Sequence, residues 1–179
     1  MNEGLISKRY AKALLDFAST LGEEEVLYRR MDALLQNTIA EPHLQNTLQS
    51  PMVASDDKYL LLCTAMGGGA LENSVKKFAD LLLQNQRENL AQKVAVCYSD
   101  LYQQKHHISK VALTSAEPLS ATVLERVRAD IEKRTRGTVE LSTHTDPNLG
   151  GGILLQIGDL RLDATVAGQL KRVKKEMAK

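Results

Sequence analysis

Two runs of three glycines, at 67–69 and 150–152, are the first candidates for chemistry in this 179-residue sequence. Glycine-rich loops can bind phosphate groups through their backbone N–H groups. The phosphate-binding loop of nucleotide enzymes also needs a lysine at a fixed spacing, and neither run supplies one. We therefore interpret the first run as a helix stop and the second as a hairpin turn.

Two pairs of titratable residues could act on a metal ion or a proton. Asp159 and Asp163 bracket a short turn and strand, and His106 and His107 are adjacent. The aspartates lack an evident third ligand, and adjacent imidazole rings point apart where a metal site needs converging ligands. No Ser/His/Asp or Cys/His set has local support either, so an unrecognised small hydrolase is the least favoured alternative. The sequence thus predicts a protein that is not an enzyme, with no catalytic residue, no metal site and no cofactor.

The charge distribution narrows the choice of partner. Residues 1–105 carry 11 basic and 13 acidic side chains and residues 106–179 carry 12 and 9, so their net charges are −2 and +3. Neither value is typical of a nucleic-acid-binding protein. Four cations crowd residues 171–175, so a peripheral protein that uses this helix on RNA or an anionic membrane stays an alternative. Its apolar stripe has no Trp or Phe, which favours a solvated face on a docked helix.

Apolar spacing predicts six helices before about residue 105. Over residues 6–21 apolar side chains recur every three or four positions, as one face of a helix requires. Pro42 and Pro51 bracket a short third helix, because proline is not tolerated in a helix interior. Ser55 is expected to cap the fourth helix, and the glycines at 67–69 to end it. The fifth and sixth helices follow, the fifth with a stripe that begins at Leu71.

Beyond this point the apolar period changes from helical to alternating. Four short alternating stretches predict strands, the last of them at Leu160 and Leu162. One helix is expected between the first and second strands, and a final helix from near Asp163. The sequence therefore predicts a mainly α protein with a smaller α/β part: a six-helix bundle in 1–105 and a β-α-β-β-β-α module in 106–179.

A candidate binding surface lies on the first and fifth helices, which hold both phenylalanines of the chain. In a bundle, small side chains beside large aromatic ones leave a trough that an amphipathic helix of a partner can fill. Each anchor buried there contributes about 1.5–3 kcal/mol. Plain core packing is the alternative interpretation for any single member of the set. The set is Tyr10, Ala13, Leu14 and Phe17 on the first helix and Val75, Phe78, Leu81 and Leu82 on the fifth.

Four stretches, in order along nearly the whole chain, carry a family pattern. They are 7–18 (SKRYAKALLDFA), 78–87 (FADLLLQNQR), 111–119 (VALTSAEPL), and 146–159 (DPNLGGGILLQIGD) running into 162–170 (LDATVAGQL). Together they resemble the δ subunit of bacterial F-type ATP synthases, a family called the oligomycin-sensitivity-conferring protein in mitochondria. The sequence departs from the family pattern in having three glycines where the family has a pair, and Gln86 where a small residue often precedes Arg87.

The resemblance implies a non-catalytic stator subunit. One copy, monomeric within the complex, would link the catalytic headpiece to the peripheral stalk and so couple proton flow to ATP synthesis. It also implies that the C-terminal module binds the C-terminal region of the b subunits, through its sheet and final helix. No nucleic acid is expected, and the membrane would be reached only through the complex, at the cytoplasmic face of the bacterial inner membrane. The implied binding residues for the N-terminal helix of an α subunit are Tyr10, Ala13, Leu14, Phe17, Phe78, Leu81 and Leu82.

Overall fold

The chain folds into two compact units, Met1–Gln104 and Lys105–Lys179. The boundary between them lies one residue before the one that the change in apolar spacing predicts. The computed structural model describes residues 3–69, 72–135, 137–158 and 160–177. These residues are mainly helical, and a four-stranded sheet lies in the second unit. The expectation of a mainly α protein with a smaller α/β part is therefore confirmed. Leu71 and Asp159, to which the sequence assigned roles, lie outside the described residues.

The described part of the first unit is built from helices. Their bounds are Glu3–Leu21 (α1), Glu24–Ala40 (α2), His43–Gln49 (α3), Ser55–Ala65 (α4), Asn73–Gln84 (α5) and Ala91–His106 (α6), with a 3₁₀ turn at Glu88–Leu90. Pro42 and Pro51 flank α3, where a missing N–H removes no bond from the helix interior. The expected capping role of Ser55 is wrong. Ser55 is the first residue of α4, and the extended Ala54 before it makes no side-chain cap bond.

Three helices of this unit end in the same backbone motif. Gly22 after α1, Gly67 after α4 and Gln86 after α5 have positive φ angles of 69°, 103° and 51°. In each motif the N–H of this residue and the N–H of the next donate back to carbonyl groups of the last turn, over 2.8–3.3 Å. This is the Schellman arrangement, which satisfies carbonyls that the helix itself leaves unpaired. The predicted helix stop at 67–69 is confirmed, and Gln86 stands where glycine is favoured.

The core of the first unit is mostly aliphatic. Its largest fully buried side chains include Leu27, Met31, Leu34, Leu62, Val75, Phe78, Leu82, Val94 and Tyr98. Tyr28 and Tyr102 stack beside them with ring centroids 4.4 Å apart. Lys58 of α4 forms an ion pair with Glu88 of the 3₁₀ turn, and both side chains are largely shielded from water. Such a pair holds two elements together because removing either partner leaves an uncompensated charge.

The second unit is a mixed four-stranded sheet with two helices. Its elements are β1 (Ile108–Ser115), α7 (Ala121–Thr135), β2 (Thr138–Thr145), β3 (Gly152–Ile157), β4 (Leu160–Thr165) and α8 (Val166–Met177), with a 3₁₀ turn at Pro147–Leu149. The strand order is β2-β1-β3-β4, in which β1 is parallel to β2 and β3 is antiparallel to both β1 and β4. The prediction of a hairpin turn at 150–152 is wrong, because β1 lies between β2 and β3. The glycines belong to a connection that passes the end of β1.

That connection is shaped by local bonds and close packing. The Asp146 carboxylate accepts hydrogen bonds from the backbone N–H and the side-chain amide of Asn148, over 3.0 and 2.9 Å. A Cβ on Gly152 would lie 2.4 Å from the carbonyl oxygen of Ala164, so only glycine lets β3 and β4 pair at this point. Gly152 therefore serves the pairing of β3 with β4.

The final helix begins later than predicted, because β4 continues through Thr165 and α8 starts at Val166. The Asp163 carboxylate accepts bonds from the backbone N–H and the hydroxyl of Thr165, over 3.0 and 2.7 Å. The Thr165 hydroxyl in turn accepts the N–H of Gly168 in the first turn of α8, over 3.0 Å. The Thr165 hydroxyl and N–H lower the pKa of Asp163 by stabilising its charged form. Asp163 of β4 thus positions Thr165, whose hydroxyl caps the first turn of α8.

One face of the sheet is partly covered by α7. Val111 of β1, Ile131 of α7 and Val139 of β2 form a small buried cluster. Half-buried side chains of α7, β2 and β3 pack around it. The buried core of this unit therefore lies under α7, on the β1 and β2 side of the sheet.

Candidate partner-binding surface

Helices α1 and α5 pack against each other, and the contacts at their ends show that they run in opposite directions. At one end the Glu23 carboxylate, just after α1, accepts the backbone N–H of Ser74 in the first turn of α5, over 2.9 Å. At the other end Arg87, just after α5, donates to the hydroxyl of Tyr10, over 2.9 Å. Because both ends are tied by hydrogen bonds, the two helices present one continuous surface.

The seven residues predicted for this surface fall into two groups. Leu14, Phe78 and Leu82 are at most 7% exposed, so they belong to the core between the helices. The other four, Tyr10, Ala13, Phe17 and Leu81, are exposed or half-exposed. Phe17 and Leu81 keep 38% and 36% of their surface in water. The structure thus places the first group as a floor and the second as a rim.

The rim on α1 is one flank of the helix. Ile6, Tyr10, Ala13 and Phe17 follow one another at spacings of four, three and four, so they lie along one line on the helix surface. Their burial decreases from the half-buried Ile6 and Tyr10 to the exposed Ala13 and Phe17. The hydrogen bond that Arg87 donates to Tyr10 shows that this flank lies on the α5 side. An apolar strip of about three helical turns is thereby left open beside α5.

Arg87 also belongs to this surface. In the sequence it stands out only as the last residue of the family stretch 78–87. Its guanidinium carbon lies 5.6 Å from the centre of the Tyr10 ring, in addition to the bond to the hydroxyl. A cation over an aromatic face contributes about 0.5–1 kcal/mol at an exposed site. The Schellman turn at Gln86 directs the chain back towards α1 and so places Arg87. An arginine directly after a helix end is the only signal for this in the sequence.

The opposite end of the surface is held by charge. The pKa of Glu23 is lowered, because Ser74 stabilises its carboxylate, to which the Ser74 backbone N–H donates. The carboxylate also occupies the N-terminus of α5, where unpaired N–H groups favour a negative charge. Glu23 therefore acts as a cap supplied by the connection between α1 and α2, and it fixes where α5 begins relative to α1.

The described residues include few groups that could act in catalysis. They include no group of three or more His, Cys, Asp or Glu side chains that could hold a metal ion. Burial raises the pKa of both the Cys63 and the Cys97 thiols, which disfavours the reactive thiolate. What the α1/α5 surface provides is apolar area between two fixed helices, which suits binding rather than catalysis.

Comparison with known proteins gives the family. The family model described as ATP synthase delta (OSCP) subunit matches residues 6–177. The chain belongs to this family. The ATP synthase subunit delta of Phocaeicola vulgatus is 40% identical over 173 residues, which are 97% of this chain and 94% of that protein. The delta subunit of Bacteroides thetaiotaomicron is 37% identical over 177 residues, 98% of this chain and 95% of that protein.

A solved structure supports the fold of this delta-family chain. One chain of the Toxoplasma gondii mitochondrial ATP synthase hexamer, determined by cryo-EM, matches with a TM-score of 0.69 at 21% identity. The match covers 100% of this chain and 98% of that one. The predictions of the delta family and of a non-catalytic ATP synthase subunit are confirmed by the family match. Within the described residues, no helix combines the length and the apolarity needed to span a membrane.

Proposed function

We propose that this delta-family chain is a stator subunit that binds one partner with each unit. The first unit, a six-helix bundle, binds the amphipathic N-terminal helix of an α subunit between α1 and α5. The second unit binds the C-terminal region of the b subunits through its sheet and final helix. The chain acts as a single copy at the cytoplasmic face of the bacterial inner membrane and reaches the membrane only through the complex. It holds the catalytic headpiece still, so that proton flow is coupled to ATP synthesis.

The observation that carries the first half of the proposal is the division into floor and rim. Leu14, Phe78 and Leu82 close the space between α1 and α5 from below, while Phe17 and Leu81 stay more than a third exposed above it. A helix that lays its apolar face on such a strip reads it at spacings of three and four residues. Burying the exposed parts of two or three such side chains contributes a few kcal/mol, of order 25 cal/mol per Å².

The first test is a titration of the full chain with a peptide of the first ~25 residues of the α subunit, an extent that spans several helical turns. Binding followed by NMR should shift the amide signals of Tyr10, Phe17 and Leu81. Phe17→Asp should abolish this binding and leave the circular dichroism spectrum unchanged, because the side chain is already partly in water. Absence of shifts at these residues in the wild-type chain would disprove the α1/α5 surface as the binding site.

A matched control is available on a helix outside the surface. Val96 of α6 is 44% exposed, close to the 38% of Phe17, so Val96→Asp introduces the same charge at similar exposure. This variant should bind the peptide as the wild type does. If Phe17→Asp instead unfolds the bundle while Val96→Asp does not, Phe17 belongs to the core and the proposed rim is wrong.

A further inference from the structure

The ion pair between Lys58 and Glu88 leaves one oxygen of the Glu88 carboxylate without a donor. The Lys58 ammonium group pairs with Oε1. The other oxygen, Oε2, is buried from solvent and has no hydrogen-bond partner among the described residues. Leaving a buried carboxylate oxygen unpaired is costly, and nearly all buried polar atoms of native proteins have a partner, either in the protein or in an ordered water. Oε2 of Glu88 therefore needs a second donor.

A small cavity lies against Glu88, between the 3₁₀ turn and helices α2, α3 and α6. The space open to the centre of a water-sized sphere is about 10 Å³, and one water molecule needs about 10–15 Å³ by this measure. In contrast, a surface groove of the same unit, lined by Ala40, Leu61 and Thr64 among others, offers about 290 Å³. The cavity against Glu88 thus matches one water molecule and is too small for an organic ligand.

The wall of this cavity has an apolar and a polar part. The apolar part consists of side chains that are at most 7% exposed, namely Leu34, Leu44, Leu48 and Ala91. The polar part consists of Thr38, Gln45, Asn89 and Gln92 together with Glu88. A purely apolar cavity stays dry, whereas a buried water makes about three hydrogen bonds and needs two to four polar partners. The wall of this cavity supplies that number.

We propose that this cavity is the binding site of one structural water, which donates a hydrogen bond to Oε2 of Glu88. Its second O–H donates to the Thr38 hydroxyl. That hydroxyl is left as an acceptor, because its own proton goes to the Leu34 carbonyl over 2.7 Å. The side-chain amide of Gln45 or Gln92 donates to the water in turn. With Lys58 on Oε1 and the water on Oε2, both oxygens of the shielded carboxylate have a donor.

The water extends the ion pair into a link among three elements. Lys58 belongs to α4, Glu88 to the 3₁₀ turn and Thr38 to α2. Glu88 directly follows Arg87, which donates to Tyr10 on the α1/α5 surface. The site therefore anchors the turn that follows Arg87, and it does so without depending on the identity of any partner.

The first experiment is a crystal structure of the full chain at a resolution that shows ordered water. One water should lie in the cavity, about 2.7–2.8 Å from Oε2 of Glu88 and within hydrogen-bond distance of at least one other polar side chain of the wall. A direct bond from the Asn89 or Gln92 amide to Oε2, with no density in the cavity, would overturn the proposal. So would a metal ion in the cavity, which contacts of about 2.3–2.6 Å to several oxygens would reveal.

The second experiment detects the water in solution, through nuclear Overhauser effects between water and methyl protons of the full chain. A water that stays bound for longer than the molecule takes to tumble gives a cross-peak with the sign typical of the protein itself. The methyl groups of Leu48 and Ala91 line the cavity and should show this cross-peak. The methyl groups of Leu61 line the open groove of about 290 Å³, where water exchanges freely, and should not. Absence of the cross-peak at both Leu48 and Ala91 would contradict a bound water.

A double variant tests whether the carboxylate holds the water. Lys58→Met combined with Glu88→Leu replaces the shielded ion pair by apolar side chains of similar size, which keeps a protein folded and leaves the water without its charged acceptor. The cross-peak at Ala91 should disappear while the circular dichroism spectrum stays the same. The matched control is Lys93→Met combined with Glu3→Leu, which removes an exposed ion pair of α6 outside the cavity wall and should leave the cross-peak unchanged. If the cross-peak survives in the first double variant, or is lost in both, Glu88 does not hold the water and the proposal is wrong.

Discussion

Replacing Gln86 by glycine should stabilise the protein. Gln86 has a φ of 51°, in a region where a side chain costs about 1–2 kcal/mol. Its side chain is exposed. Glycine removes the strain, but it also gives the unfolded chain more freedom, which costs about 0.4–1 kcal/mol. The difference predicts a gain of roughly 0.5–1 kcal/mol in the free energy of unfolding.

Gly22 allows the reverse exchange at a matched position. It occupies the same place in the Schellman motif after α1, with a φ of 69°, and a Cβ there would meet no atom within 4 Å. Gly22→Gln therefore adds backbone strain without a clash and should lower the free energy of unfolding by a similar roughly 0.5–1 kcal/mol. Gly67 is a poorer control, because a Cβ there would lie 2.8 Å from the Arg30 guanidinium.

The assay is urea unfolding followed by circular dichroism at 222 nm. With a slope of about 2 kcal/mol per M, the expected change moves the midpoint by roughly 0.25–0.5 M, upward for Gln86→Gly and downward for Gly22→Gln. The slope itself should not change, since neither exchange alters the surface exposed on unfolding. If Gly22→Gln lowers the midpoint but Gln86→Gly leaves it unchanged or lowers it, backbone strain at Gln86 is not a real cost and the reasoning is refuted.

Three further exchanges test contacts within the first unit or within the second. Lys58→Met should lower the free energy of unfolding by about 3–5 kcal/mol, because it leaves Glu88 shielded from water and unpaired; in urea unfolding, adding Glu88→Leu should recover most of the loss, and no recovery would contradict this. Glu23→Gln should lower Tm at pH 7. A carboxylate with a lowered folded pKa contributes stability above its unfolded pKa of about 4.3, and this contribution is lost as the pH falls through the folded value. The Tm difference should therefore close on acidification, and a constant difference would exclude the charge as its cause. Gly168→Ala should lower Tm, because its Cβ would lie 2.7 Å from the Asp163 carboxylate; an unchanged Tm would mean that moving this carboxylate costs no more than the ~1 kcal/mol by which alanine is favoured over glycine in a helix.

Local signals predicted the helices and the order of the four strands, but not how the strands pair. The stripe over 6–21 and the glycines at 67–69 act within a few residues, so they give α1 and the end of α4 directly. Strand pairing joins residues far apart in the chain. Thr165 pairs with Gly152, so β4 continues through Thr165 and α8 begins after it. In the sheet, β1 lies between β2 and β3. Neither fact leaves a mark on the apolar pattern of the single strands, so the start near Asp163 and the hairpin turn were both wrong.

On the candidate surface too, the sequence predicts the helix but not which of its apolar residues are buried. The buried stripe of α1 and its open flank are both apolar, so residue type alone does not separate Leu14 in the floor from Phe17 in the rim. Leu14 and Phe17 lie about 60° apart around the helix axis, and this angle decides which of them faces α5 and which faces water. Arg87 could be assigned to the surface only from its contact with Tyr10, because that contact depends on where the turn at Gln86 points the chain.

The two units also differ in how completely they bury their apolar side chains. In the described part of the second unit, nearly complete burial of aliphatic side chains is confined to Val111, Leu113, Ile131 and Val139. A small core gives marginal stability, and a ligand that binds only the folded form adds about 2.7 kcal/mol at a hundred times its Kd. If the proposed contact of the b subunits with this unit forms, the folding of the unit and the binding of its partner become linked.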